Sequence, residues 1–112
     1  MSLEEIIMKI VNLTPHAINL RNLDGELVTI AASGMIARCE EIRQEMAPLA
    51  GFAVTAITYG NVTDLPEPTE GVVYVVSRPV KSTAPHRTDL FCVGVQKRDQ
   101  DGKVIEADGL SV

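Results

Sequence analysis

Five consecutive apolar residues, Val72-Val73-Tyr74-Val75-Val76, lie between Gly71 and Ser77. The run is too short for an amphipathic helix, and valine's branched side chain favours extended backbone. It reads as a strand buried on both faces, so the remaining chain must supply a sheet around it. Turn signals divide that remainder into short pieces. Asp24-Gly25 separates the alternating segments 17–20 and 27–30 as a hairpin turn. Ser33-Gly34 precedes a strand over 35–42, whose charged end (Glu40, Glu41, Arg43, Glu45) reads as a solvated edge. Residues 52–59 alternate and stop at Gly60-Asn61. Two prolines and three acidic residues make 63–71 an exposed loop. A strand over 90–95, a turn at 99–102 and a return strand over 103–105 complete the set. The opening strand, Lys9 to Leu13, is interrupted by Thr14-Pro15, because proline has no amide to donate. Residues 44–51 read as one helical turn or a loop around Pro48.

This pattern predicts about seven short strands and at most two short helices. The expected fold is mainly β or α+β: a small curved sheet or barrel-like single domain, with one short helix over 77–84 after the Val72–Val76 strand. Residues 10–112 form the domain in this reading. Residues 1–9 are an N-terminal extension, with Met1-Ser2-Leu3 as an expression remnant and Met8 as a natural start.

Composition narrows the function classes. The chain has 112 residues, enough to bury a core without disulfide staples. Aromatics make up 4% with no Trp, which argues against base-stacking platforms. Fifteen acidic and ten basic residues give a net charge of −5, which repels phosphate backbones, so nucleic acid is not an expected partner. No apolar stretch is long enough to span a bilayer, so no membrane partner is expected and the cytoplasm is the default compartment. Cys39 and Cys92 form no CxxC or Cys/His cluster; they read as free core thiols, and no metal or other cofactor is expected. GxGxxG and GxxxxGK[ST] loops are absent. Asp99-Gln100-Asp101-Gly102 lacks the rest of a calcium loop and reads as a hairpin turn.

Two segments hold polar chemistry. After the buried strand, Ser77 can cap a short helix and contact an anion. Arg78, Lys81, His86 and Arg87 form a basic patch able to hold one phosphate group, with Arg87 as the clamp. Asp89 can orient a neighbour or act as a base. In Leu13-Thr14-Pro15-His16, His16 is an acid/base candidate and Thr14 a hydroxyl donor. If the segments meet, His16, Ser77 and Asp89 make a Ser/His/Asp set, although no nucleophile elbow supports it. The structural alternatives are simpler: Ser77 is only a cap, Asp89 pairs with Arg87 to fix a loop, and Thr14-Pro15 is a strand bulge beside a surface histidine.

The ordered motifs VNLTPHAINL, DGELVTIAASGMIARCEE, YVVSRPV, APHRTDLF and KRDQDGKVIEADGL span most of residues 10–110. As a set they resemble an uncharacterised family of small phage- and prophage-associated bacterial proteins, many opening with N-L-T-P-H. Arg87, Asp89, Leu90, Arg98, Asp99 and Gly102 match its R-x-D-L and R-D-x-x-G pattern. The chain departs from it with Cys92-Val93-Gly94 where a proline is usual, and with Glu106-Ala107-Asp108 in place of a Gly-Cys-type turn. The resemblance implies a phage-linked or accessory role and settles no activity. Two functions therefore stand open. One is a binding or assembly module that forms a homo-oligomer or takes a protein partner. The other is a binding protein or small enzyme for a phosphorylated or nucleotide-like anion.

Overall fold

A computed structural model describes residues 8–112. The expected extension over 1–9 falls largely on residues 1–7, outside the described residues. Eight strands and one helix follow in chain order: β1 Lys9–Asn12, β2 Ile18–Arg21, β3 Leu27–Ile30, β4 Arg38–Leu49, β5 Phe52–Thr63, β6 Val72–Val75, α1 Arg78–Thr83, β7 Leu90–Arg98 and β8 Val104–Ser111. Six strands form one curved sheet in the order β1-β6-β7-β8-β2-β3. A parallel bridge between Asn12 and Ala32 brings the two outer strands together, so the mainly β sheet is a nearly closed barrel. The valine run supplies β6, which lies between β1 and β7 and pairs parallel with both. A parallel pairing needs a long crossover, and α1 with its flanking loops provides the one from β6 to β7. No helix among the described residues is long and apolar enough to cross a membrane.

The main apolar cluster joins Leu13, Ala37, Tyr74, Val76, Val80, Ala84 and Leu90. Val80 of α1 is fully buried in it, and Cys39 and Val62, a cross-strand pair at the base of the β4–β5 ribbon, pack against it. Cys92 is buried, and both cysteines are free thiols. Cys92-Val93-Gly94 lies inside β7 and Glu106-Ala107-Asp108 inside β8. Gly94 is required by contact: a β-carbon there would collide with the Asp108 carbonyl on β8.

The barrel seam depends on Asn12, which is 1% exposed. Its amide nitrogen donates to the His16 carbonyl at 2.8 Å and to the Ile30 carbonyl at 3.2 Å. Its side-chain oxygen accepts from the Thr14 amide at 2.9 Å and lies 2.6 Å from the Thr14 hydroxyl. The Asn12 main-chain carbonyl accepts from the Ser33 amide. One side chain thus holds the turn over 14–16 and ties β1 to β3. The adjacent Leu13 is buried in the core, so the Asn-Leu-Thr-Pro-His segment acts here as a fastening of the seam.

The two connecting hairpins, β2–β3 and β7–β8, share a turn. Arg21-Asn22-Leu23-Asp24-Gly25 and Arg98-Asp99-Gln100-Asp101-Gly102 have matching hydrogen bonds. The side-chain oxygen of Asn22 accepts from the amides of Asp24 and Glu26, and that of Asp99 from Asp101 and Lys103. The glycine adopts φ of 82° in the first turn and 80° in the second. The preceding arginine donates to that glycine's carbonyl in both. These are Asx turns, in which a short polar side chain stands in for backbone.

The expected helical turn or loop over 44–51 is not formed. β4 instead runs on to Leu49 and pairs with β5 as a separate two-stranded ribbon of twelve residues per strand. Pro48 fits because it lies where the register shifts between Met46 and Leu49, and a strand of such a ribbon has an unpaired side. The ribbon turns through Ala50 and Gly51, both at positive φ. It gives the molecule a length of 62 Å and a radius of gyration of 17.3 Å. A compact chain of this size has about 13 Å.

Replacing Asn12 with Ala strips partners from two carbonyls and an amide at a buried position. Urea unfolding should show a loss of about 2–4 kcal/mol for Asn12→Ala and about 1 kcal/mol for Thr14→Val. An Asn12→Ala loss no greater than that of Thr14→Val would show that the seam does not depend on this side chain.

Candidate functional site

β1 and β6 run parallel in a register that sets Asn12 beside Val75. Both strands therefore end on the same side, and the segments that follow them emerge together. They form part of a cleft of about 1070 Å³ whose lining includes Thr14, His16, Ser77 and Arg78. β2, β7 and β8 supply its remaining walls, with Ile18, Val93, Val104 and Ile105 among the apolar ones and Lys103 and Glu106 among the charged ones.

The polar groups of this cleft are largely engaged within the chain. The Thr14 hydroxyl is held at Asn12. Arg78 donates to the Ser111 hydroxyl at 2.9 Å and to the Val112 carbonyl at 3.2 Å, which fastens α1 to the end of β8. Glu106 accepts two hydrogen bonds from Arg21, at 3.0 and 2.9 Å. That pairing holds its carboxyl below the usual carboxylate range. Ser77 occupies the N-cap position of α1 with extended backbone, but its side chain makes no cap bond. His16 is exposed.

Arg87 and Asp89 lie elsewhere, in a shallow groove with Pro68, Glu70 and His86. Arg87 grips Asp89 through two bonds of 2.8 Å and donates to the Pro66 carbonyl at 3.0 Å. This ion pair pins the 64–71 loop against the start of β7. The guanidinium holds the Asp89 carboxyl below its ordinary range. The chain thus brings His16 and Ser77 to one cleft and leaves Asp89 in another groove, paired. The four cations read together as a basic patch are also dispersed. Arg78 binds the end of β8, Arg87 binds Asp89, and Lys81 donates to the Leu90 carbonyl at 3.1 Å. Among the described residues no three His, Cys, Asp or Glu side chains are placed to hold a metal ion.

The bonds that Asn12, Arg21 and Glu106 make were not expected from sequence. Asn12 carries a signal in hindsight, since Asn two residues before Thr-Pro's proline-broken strand favours an Asx-type turn. Arg21 and Glu106 carry none, because their meeting depends on the parallel pairing of β2 with β8.

Asp89 and Glu106 both have native pKa values depressed by their arginines. Each carboxylate therefore stabilises the fold above the unfolded carboxyl pKa, about 4, and loses that contribution as pH falls through the lower native value. Thermal unfolding between about pH 7 and pH 3 should show a melting temperature that falls on the acid side. Arg87→Met should flatten part of that slope and, by opening the pair, cost about 1–2 kcal/mol at neutral pH. An unchanged acid slope in Arg87→Met would remove the pair as its source. No protein-family model matches the chain, and neither a curated protein nor a solved structure shows significant similarity to it.

Proposed function

We propose that the protein is a phage- or prophage-type accessory protein that works as a non-catalytic assembly module and associates with itself through the β4–β5 ribbon. The observation that carries this reading is the ribbon's exposed apolar surface. An isolated two-stranded ribbon is at best marginally stable in water. Cross-strand partners share a face, so Ile42, Gln44 and Met46 lie with Thr58, Ala56 and Val54 on one side, without a charge among them. The other side carries Glu41, Arg43 and Glu45 beside Tyr59, Ile57 and Thr55. β5 has no charged residue along its whole length. Free strand edges are normally protected by charges, prolines or covering segments, and this strand lacks the first two. Leu49 and Phe52 at the tip are 71% and 74% exposed. Such a surface is suited to contact with another molecule.

Light scattering after size exclusion should give a mass above one chain for the wild type. Phe52→Asp, which leaves the barrel untouched, should return it to one chain with its circular dichroism intact. A wild type that stays monomeric at the highest concentration reached would sink self-association.

A second reading draws on the meeting of His16, Ser77 and Arg78 in the cleft: a binding protein for a phosphorylated or nucleotide-like anion. It ranks lower because Arg78 and Arg87 already hold partners in the chain. A thermal-shift screen against nucleotides and sugar phosphates tests it, since a ligand of the native state raises the melting temperature. A shift that His16→Ala and Arg78→Ala both abolish would support this reading; no shift would remove it.

A further inference from the structure

We infer that the ribbon tip of one copy seats in the cleft of a second copy, head to tail. This rests on the self-association proposed above and names the surface that receives the ribbon.

The tip has the form of a preset knob. Leu49 and Phe52 are cross-strand partners on either side of the two-residue turn, so their side chains stand together. The turn is tight, with Ala50 at φ 51° and Gly51 at 82°. The cleft offers the matching cavity. Its apolar wall from Ile18, Val75, Val93, Val104 and Ile105 faces a space of about 1070 Å³. Pockets of roughly 300–1,000 Å³ enclose a drug-sized molecule, and two large side chains with their turn are of that scale. Leu49 and Phe52 on one side, and Val104 and Ile105 on the other, are all exposed in the single copy.

Charge agrees with this fit. Glu45, in the outer half of β4 toward the tip, has no ion pair among the described residues. In the cleft lining the negative charge of Glu106 is matched by Arg21 and Arg78 is held by the end of β8, which leaves Lys103 as the cation facing an incoming strand. A carboxylate at Glu45 approaching Lys103 at the rim would steer and orient the contact.

The competing arrangement, ribbon face against ribbon face, buries too little. Strands of this length make a ribbon about 40 Å long and about 10 Å wide, or about 400 Å² per copy on one face. A standard interface takes about 800 Å² from each partner. Tip-in-cleft contact adds the pocket walls to the ribbon's own surface. Because the two patches differ, the contact is heterologous, and copies joined this way form a closed ring or an open filament.

Two variants decide the matter: Phe52→Asp in the tip and Ile105→Asp in the cleft, studied in reducing buffer by light scattering after size exclusion. Each alone should be monomeric. Mixed in equal amounts they should form a dimer and stop there, since one copy keeps its tip and the other its cleft. Assembly lost in Phe52→Asp but kept in Ile105→Asp would overturn the cleft as receiver while leaving self-association standing. A monomeric wild type would overturn both. A surface charge pair guards against misfolding of Ile105→Asp: Lys103→Glu should weaken assembly about tenfold, and adding Glu45→Lys should restore it in part. No effect of Lys103→Glu together with intact assembly of Ile105→Asp overturns the proposal. So does a cleft that takes inorganic phosphate, read as a raised melting temperature of the Phe52→Asp monomer, while Ile105→Asp still assembles.

Discussion

The barrel holds its shape because one buried amide satisfies four groups, three in the turn over 14–16 and one on β3. A strand order that begins with β1 and ends with β3 leaves two open edges, and open edges are the weak point of any curved sheet. Here a single bridge closes them, between Asn12 and Ala32. The Asn12 side chain reinforces that bridge with two carbonyls on one side of its amide and two donors of Thr14 on the other. Asparagine suits the position because its two ends have opposite polarity; aspartate would face the same carbonyls with oxygen, and leucine would satisfy none of them. Everything positioned by the seam follows from it, including the turn that places His16 and the common end from which the cleft walls emerge.

Away from the seam the fold relies on local devices. The two Arg-Asx-x-Asp-Gly turns fix the register of β2 with β3 and of β7 with β8 without help from the core. The arginines then reach back over their own turns, and Arg21 goes further, crossing to Glu106 on a strand distant in sequence. Gly94 removes the side chain at a place where β7 and β8 come too close for it. Arg87 and Asp89 do the same kind of work on the long loop after β5, holding its carbonyl at Pro66.

The readable parts of the sequence were those whose environment is asymmetric or locally punctuated. β3 coincides with the segment 27–30 marked out by Asp24-Gly25, and α1 lies inside the expected 77–84 because Ser77, Pro79 and Pro85 bracket it. The ribbon was half legible. β5 shows alternation, whereas the outer half of β4, ending Met46-Ala47-Pro48-Leu49, does not. Ala50-Gly51 also lacks the Asn-Gly or Asp-Gly signature of a two-residue turn, and Pro48 suggested a break. For the candidate site, the residue types were visible and their grouping was not. The pairing of Arg87 with Asp89 is two residues long and could be weighed from sequence. The meeting of His16 with Ser77 depends on β1 lying parallel to β6 across some sixty residues, and no local pattern encodes that.

The ribbon leaves the barrel at Arg38 and returns at Thr63, and those two residues are cross-strand partners. Beyond Cys39 and Val62, which pack against the core, the ribbon is therefore an appendage with a fixed footing. Adding or removing residues in matched cross-strand pairs would change how far the tip stands from the barrel by about 3.4 Å per pair, with no effect on the strands that form the body. A ring or filament built through that tip would have its spacing set by the length of one hairpin, so the same small barrel could serve assemblies of different pitch or diameter.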